Sequence, residues 1–423
     1  MIDAMRLAGR LREAREAHGL SQKDVAEALD VPRSAVSKIE SGKRAVSTLE
    51  LTRMADLYAL SASFFLSDEA ERRSEDLAHV LLRALPETRE DPQVAHAVRS
   101  SVLLCREGAS LRRLLGRAVE PAVPSYAART GSTSDAIRRG EAVAKEERRR
   151  LGLGDVPIRS VAGLIGDQGI WAAATALPDG LSGLFVNHPD VGFAVLVNRQ
   201  HGEARRRFSY SHEYAHVLFD RDRTITTSRR DNASGRLETR ANAFAAALLM
   251  PPGGVAEQLE RMGKGRPSRN AQAIFDVAND SAITAEIRTR PGSQQLTYAD
   301  VAVLARHFGV SFEAAVWRLK SLKHTSGSES AALIEQKNIG NRYIRMLDRS
   351  PDDEARDRDA RDGVSTRGVG AGHDRELRGQ LLRLAIEAFR REAISRGRLL
   401  EIGRRLDIAG DDMLDVAMAA RPC

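Results

Sequence analysis

The pentapeptide His212-Glu213-Tyr214-Ala215-His216 constrains this 423-residue chain more than any other feature. Residues four apart stack on one face of an α-helix about one turn apart, so both imidazoles can meet a single Zn²⁺ if the segment is helical. Glu213 is rotated round that helix and is not a third ligand. Its carboxylate is placed to take a proton from an attacking water and pass it to a leaving amine, while the metal polarises a scissile carbonyl. A catalytic zinc also needs a third protein ligand and an open fourth position. Asp222, six residues beyond His216, would reach the metal through a turn that glycine permits, but Phe219 stands where that glycine would be. Glu238 opens the run ETRANAFAAALLMPP. There Ala241, Ala245, Ala246 and Leu249 recur at packing spacing, so this helix can lie close against the metal helix and point Glu238 at the ion.

The surrounding chain reads as several units. Its length and its 42% apolar content are enough for more than one core. Residues 6–66 read as short helices with turns at His18-Gly19, Val31-Pro32 and Ser41-Gly42-Lys43. From Glu71 to Arg117 a helical apolar period, broken near Pro86 and Pro92, suggests a connector or dimerisation segment. Between Val156 and Asn198, GIWAAATAL, GLSGLFVN and VGFAVLVN are short and turn-bounded, which predicts a small antiparallel sheet. Helices are expected over Glu203–Phe219 and Arg236–Met250, the second stopped by Pro251-Pro252. The stretch Met262–Gln295 reads as an insertion, Tyr298–Leu322 as two short helices, and Glu376–Leu406 as a final pair. The charged run SPDDEARDRDARDGVSTRGVGAGHD has the composition of a mobile linker near 350–375.

The run LSQKDVAEALDVPRSAVSKIESGKRAVS carries a second pattern. Ser21 can cap a helix whose inward residues are Val25, Ala26 and Leu29. Ala26 is small where that helix must approach the next one. Val36 and Ile39 anchor the following helix and leave Arg33, Ser34, Ser37 and Lys38 on its outward face, in reach of base edges. Gln22, Lys43 and Arg44 are placed to hold phosphates and fix register. Residues 6–66 nevertheless carry ten basic side chains against eight acidic ones, so DNA affinity must come from local placement. The chain as a whole has a net charge of +7, which permits an anionic partner without demanding one.

These motifs resemble two known families. S-Q-x-x-V-A at 21–26 with S-x-I-E-S-G-K-R at 37–44 resembles the lambda-repressor and Cro type of helix-turn-helix, the XRE family. R-F-S-x-S-H-E-x-x-H followed by E-x-x-A-N-x-F-A-x-x-L-L-M-P resembles the ImmA/IrrE family of zinc metallopeptidases, with likeness running from about Val156 to Leu322. That second resemblance implies a zincin-like fold in which the Glu opening the second motif, here Glu238, is the third ligand. It also implies a protein substrate of the repressor type. Tyr214-Ala215 departs from the family's usual Leu-Gly, which suggests altered substrate access.

The expectation is therefore a mainly α chain with a small β-sheet. An all-α helix-turn-helix domain (1–66) and a helical connector (67–150) precede an α+β zincin-like domain (151–324) and a helical C-terminal region (325–423). The sites expected are Glu213 as catalytic base, His212, His216 and Glu238 on zinc, and Gln22, Arg33, Ser34, Ser37, Lys38, Lys43 and Arg44 on an operator in double-stranded DNA. Repressors of this type commonly pair, so a homodimer is in view. The alternatives are a non-catalytic transcription factor or an antitoxin-like regulator whose zincin domain senses or binds. Two distant cysteines, Cys105 and Cys423, point to a reducing compartment. With no apolar leader or span, a cytoplasmic location without a membrane partner is expected.

Overall fold

The structure, a computed structural model, describes residues 4–17, 20–58, 65–66, 85, 91–121, 123–127, 131–229, 235–264, 269–276, 281–288, 294–348 and 375–419. Its centre is a four-stranded sheet of β1 (Trp171–Thr175), β2 (Leu181–His188), β3 (Gly192–Asn198) and β4 (Ile225–Arg229), in the order β1-β3-β2-β4. The sheet is mixed rather than antiparallel: β2 pairs antiparallel with β3 and β4, but β1 runs parallel to β3. A tight turn dictates the β2–β3 hairpin. Nothing in an apolar run records which way a further neighbour lies, so the direction of β1 was not legible. The edge strand β4, ITTSR, is polar and gave no apolar signal.

Every residue of β3 is buried, because both faces of the sheet are covered. Phe193, Val195 and Val197 join one core with Tyr214, Leu218, Phe244 and Phe308. Ala194 and Leu196 join another with Val98, Val102, Leu381 and Leu399. The first core belongs to the metal helix and its neighbours. The second is made by α5 (Pro92–Leu114) and the C-terminal helices α15 (Arg375–Arg390), α16 (Arg396–Arg405) and α17 (Gly410–Ala419). Residues 92–114 are thus not a free connector: their apolar stripe is covered by β1 and α15, and a Cβ at Gly108 would meet the Trp171 ring and Leu381. The expected mobile run near 350–375 lies largely outside the described residues, as does most of the 71–117 stretch before residue 91.

The stretch read as an insertion contains a hairpin, β5 (Arg269–Asp276) antiparallel to β6 (Ser281–Arg288), in register from Arg269↔Arg288 to Asp276↔Ser281. Its many polar residues masked the alternation. Between them, α11 (Tyr298–Phe308) and α12 (Phe312–Ser321) pack beneath the metal-side core, followed by α13 (Gly327–Glu335) and α14 (Lys337–Asp348).

Among the described helices, the most extensive contact joins α6 (Thr133–Arg150) to α9 (Arg236–Leu249). Gly140 makes it possible: a Cβ there would collide with the Arg240 carbonyl and lie 2.9 Å from the Phe244 nitrogen. α6 thus packs directly against α9, although it precedes residue 151. Gly140→Val is expected to destabilise the fold by about 1–3 kcal/mol, as overpacking of a close contact does, and to lower metal retention by displacing α9. Thermal denaturation alongside metal analysis checks this, and a variant with unchanged melting would show the contact to be yielding.

Candidate metal centre and nucleic-acid interface

The metal helix is α8 (Glu203–Phe219), buried without interruption from Ser209 to Phe219. A helix sunk this deeply must satisfy or pair every polar group it carries. His212 Nε2 and His216 Nε2 lie 3.2 Å apart. Glu238, in the first turn of α9, places its carboxylate oxygens 3.0 Å from His212 Nε2 and 3.5 Å from His216 Nε2. A tetrahedral ion with ligand bonds of about 2.0–2.1 Å holds its ligand atoms about 3.3 Å apart. The triangle of two nitrogens and one carboxylate oxygen therefore has the size that such an ion requires, and among the described residues it is the one group of this kind. Asp222, the competing acid, is exposed and outside it.

The outer nitrogens of both rings are held. His212 Nδ1 lies 2.9 Å from Asn242 Oδ1, and His216 Nδ1 lies 2.8 Å from Asp220 Oδ2. Buried Arg240 donates to both oxygens of Asp220 at 2.8 and 2.9 Å. Such partners orient an imidazole and raise its basicity toward a metal. Sequence reasoning missed Asp220, Asn242 and Arg240. The only available signal was their spacing: Asp220 one turn past His216, and Asn242 one turn past Glu238.

Glu213 is fully buried, and neither carboxylate oxygen has a hydrogen-bond partner among the described residues. It faces Gly183 and Ser228, cross-strand neighbours on β2 and β4. A Cβ at Gly183 would stand 2.6 Å from Glu213 Oε1, so glycine is what leaves room for the carboxylate. Burial raises the Glu213 pKa despite the pull of the two imidazoles. A buried, unpartnered carboxylate beside a two-His, one-Glu triangle fits a bound metal and its water.

Tyr214 does not approach this cleft. One residue past Glu213, its ring turns into the core, where its hydroxyl donates to Glu147 Oε2 at 2.6 Å and accepts from Arg150 at 3.1 Å. Glu147 also accepts from Tyr126. The side chain expected to alter substrate access instead ties α8 to α6, because a residue two past His212 points to the opposite side of the helix from it.

In the N-terminal bundle, α2 (Gln22–Leu29) and α3 (Arg33–Glu40) form the helix-turn-helix pair. Ser21 caps α2 in a capping box with Asp24. The turn between the helices is made by Asp30, left-handed at φ 57°, a conformation that aspartate tolerates better than most residues. Val36 and Ile39 are buried, and Arg33, Ser34, Ser37 and Lys38 share the exposed side of α3. Lys43 is exposed, while Arg44 is exposed and paired with Glu50 at 2.8 Å. Gln22 is half-buried, and its amide donates to buried Glu40 at 3.0 Å, a carboxylate that also receives Arg15. Its side chain is thus tied within the bundle.

The fold thus sets a helix-turn-helix pair ahead of a domain with a candidate two-His, one-Glu metal site. Residues 11–65 match the family model described as helix-turn-helix, and residues 166–277 match that of the IrrE N-terminal-like domain. The chain is 32% identical over 103 residues to the radiation response metalloprotease IrrE of Deinococcus radiodurans, and 34% identical over 97 residues to that of Deinococcus deserti. These matches cover 23% and 22% of this chain and 31% and 34% of the relatives, about a third of their length. The chain therefore joins an XRE-type helix-turn-helix domain to an IrrE-like metallopeptidase domain. Among the described residues no helix is long and apolar enough to cross a membrane.

In the metal-free protein, burial disfavours the His216 proton, but Asp220 and Glu238 outweigh it and raise the pKa from 6.5 to about 9. Burial likewise opposes the Glu238 charge, but the two histidines outweigh it and bring that carboxyl down to about 2. The stability that the His216 proton confers is complete below pH 6.5 and lost as pH rises through about 9. A metal must displace that proton, so its affinity is expected to rise with pH up to about 9, by at most about tenfold per pH unit. Chelator competition at several pH values measures this, and a flat response would contradict it. Asp220→Asn is expected to weaken metal binding by about 10- to 100-fold at fixed pH.

Proposed function

We propose that this chain is a DNA-binding transcriptional regulator whose second domain is a zinc-dependent endopeptidase that cleaves a repressor-type regulatory protein. The observation that carries the reading is the convergence of His212, His216 and Glu238, from two helices, beside an unpartnered buried carboxylate. Zinc suits a site of two imidazoles and one carboxylate, and when bound it supplies Lewis-acid polarisation of the scissile carbonyl and acidifies water. Glu213 takes the proton of the attacking water and delivers it to the leaving amine. Asp220 and Asn242 hold the two imidazoles in the tautomer that leaves each Nε2 free for the ion. Gly183 keeps the space around Glu213 open.

In the first domain, Arg33, Ser34, Ser37 and Lys38 read base edges in the major groove of an operator. Lys43, Arg44 and the α2 start at Gln22 hold the phosphate backbone. Two copies pairing on one operator would set their recognition helices about 34 Å apart, one turn of DNA. The partners are thus double-stranded DNA and a protein substrate, both cytoplasmic.

Glu213→Gln decides the catalytic part. Incubated with zinc and a helix-turn-helix repressor encoded beside its own gene, the wild-type chain is expected to cut that repressor. The variant should keep its zinc and its fold while the rate falls by about 10²- to 10⁴-fold. A zinc-loaded wild-type chain that regulates its genes as the Gln variant does, with no cleavage, would instead leave a regulator that binds without cutting. For the DNA-binding part, Lys38→Ala is expected to cost about 1–3 kcal/mol of operator affinity if Lys38 contacts a base. Fluorescence anisotropy on specific and scrambled duplexes measures it, and an equal loss on both would place Lys38 on phosphate.

A further inference from the structure

At the β1 edge of the sheet, an open cleft of about 520 Å³ lies among the end of α5, the end of α7 (Val161–Asp167) and α15. Its charges are balanced in an unusual way. Glu387 pairs with Arg117 at 2.7 Å and with Arg391 at 3.0 Å. The other charged side chains at the cleft, Arg112, Arg383, Asp167 and Glu120, have no ion-pair partner among the described residues.

Arg112 is the most confined of these. Its guanidinium carbon sits 3.9 Å from the centre of the Trp171 ring, and one nitrogen donates to the Gly169 carbonyl at 2.6 Å. No carboxylate offsets the desolvation, which pushes its pKa down to about 10. Gln380 lines the same cleft at 6% exposure. Its amide nitrogen donates to the Ile170 carbonyl at 3.2 Å, which leaves its buried Oε1 without a donor. A protein ordinarily satisfies a buried acceptor such as Gln380 Oε1, and one left open in a cleft beside a confined guanidinium is economically explained by a ligand. Arg383, Asp167 and Glu120 are exposed at the mouth of the cleft, where water serves them until a ligand does.

The signs of the open charges choose the ligand. A simple anion would satisfy Arg112 and Arg383 but meet Asp167 and Glu120, and a simple cation would meet the reverse. We propose that this cleft binds a zwitterion of the amino-acid or short-peptide class, its carboxylate between Arg112 and Arg383 and its ammonium toward Asp167 and Glu120. Gln380 Oε1 accepts from a remaining N–H of the ligand. The site shares β1 and its flanking loop with the core beneath the metal helix, since Trp171 faces one side and Ala172 the other. It is nevertheless separate from the metal ligands and independent of the catalytic reading.

The test is calorimetric titration and thermal shift of the intact chain with glycine, glutamate, arginine, leucine and dialanine. Succinate, inorganic phosphate and putrescine are the single-sign controls. At least one zwitterion should bind and the controls should not. Arg383→Ala and Asp167→Asn, both at exposed positions, should each weaken that binding by about tenfold, as loss of a charge-assisted contact does, while zinc content and the melting temperature of the ligand-free protein stay unchanged. The proposal is overturned if no zwitterion binds, if succinate or phosphate binds as well as the zwitterions, or if both variants bind as the wild type does.

Discussion

The metallopeptidase half of this protein depends on how closely the helix of Glu238 lies against the metal helix. Two imidazoles and a carboxylate brought within about 3.5 Å of one another and taken out of water are costly unless each charge is answered. The same first turns of α9 supply the answer twice, with Glu238 to the ligand triangle and Arg240 to Asp220, which in turn orients His216. The approach is possible because the outer side of α9 is held just as closely by α6, where Gly140 replaces a side chain with backbone contact. A chain of contacts thus runs from an N-terminal helix of this half to the metal.

The protein's basic excess has a different use from the one its sign suggests. Arg148 donates to the carbonyls of Gly154, Leu248 and Val156. Arg207 donates to those of Ile158, Arg159 and Gly309, and Arg221 to those of Val217, Val123 and Pro124. Arg318 reaches Met250 and Glu141. A planar guanidinium with five donors satisfies several loop carbonyls at once, which lysine cannot do. Four arginines therefore serve to fasten loops and helix ends in the IrrE-like half. On and just after α3, by contrast, Arg33, Lys38, Lys43 and Arg44 are exposed.

How far the site could be read in advance varied with distance along the chain. His212, Glu213 and His216 fall within one helical turn, so their mutual placement follows from helix geometry. Glu238 was legible because it opens a helix of small residues, a pattern that implies close packing, yet a second acid could be set aside only by its place in space. Asp220, Asn242 and Gly183 carry no pattern of their own. Each acts through a neighbour that is distant in sequence or on another element, and a lone Asp, Asn or Gly is too common to single out. Tyr214 shows the converse: its position between the ligands suggested the cleft, but side chains on that part of the turn face the core.

Local order decided the elements themselves. Apolar period, caps and proline stops placed α8, α9, α11 and α12 within a residue or so of where they lie, because these signals act over a few residues. The helix-turn-helix pair was likewise determined by its capping residue, its small Ala26 and its buried Val36 and Ile39. What only the tertiary structure decided was everything that depends on elements meeting: the parallel placement of β1, the use of α5 and the C-terminal helices as the second cover of the sheet, and the cleft they leave. Those outcomes come from burying both faces of one sheet at the same time, a condition shared by residues nearly three hundred positions apart that leaves no mark in any short stretch of the chain.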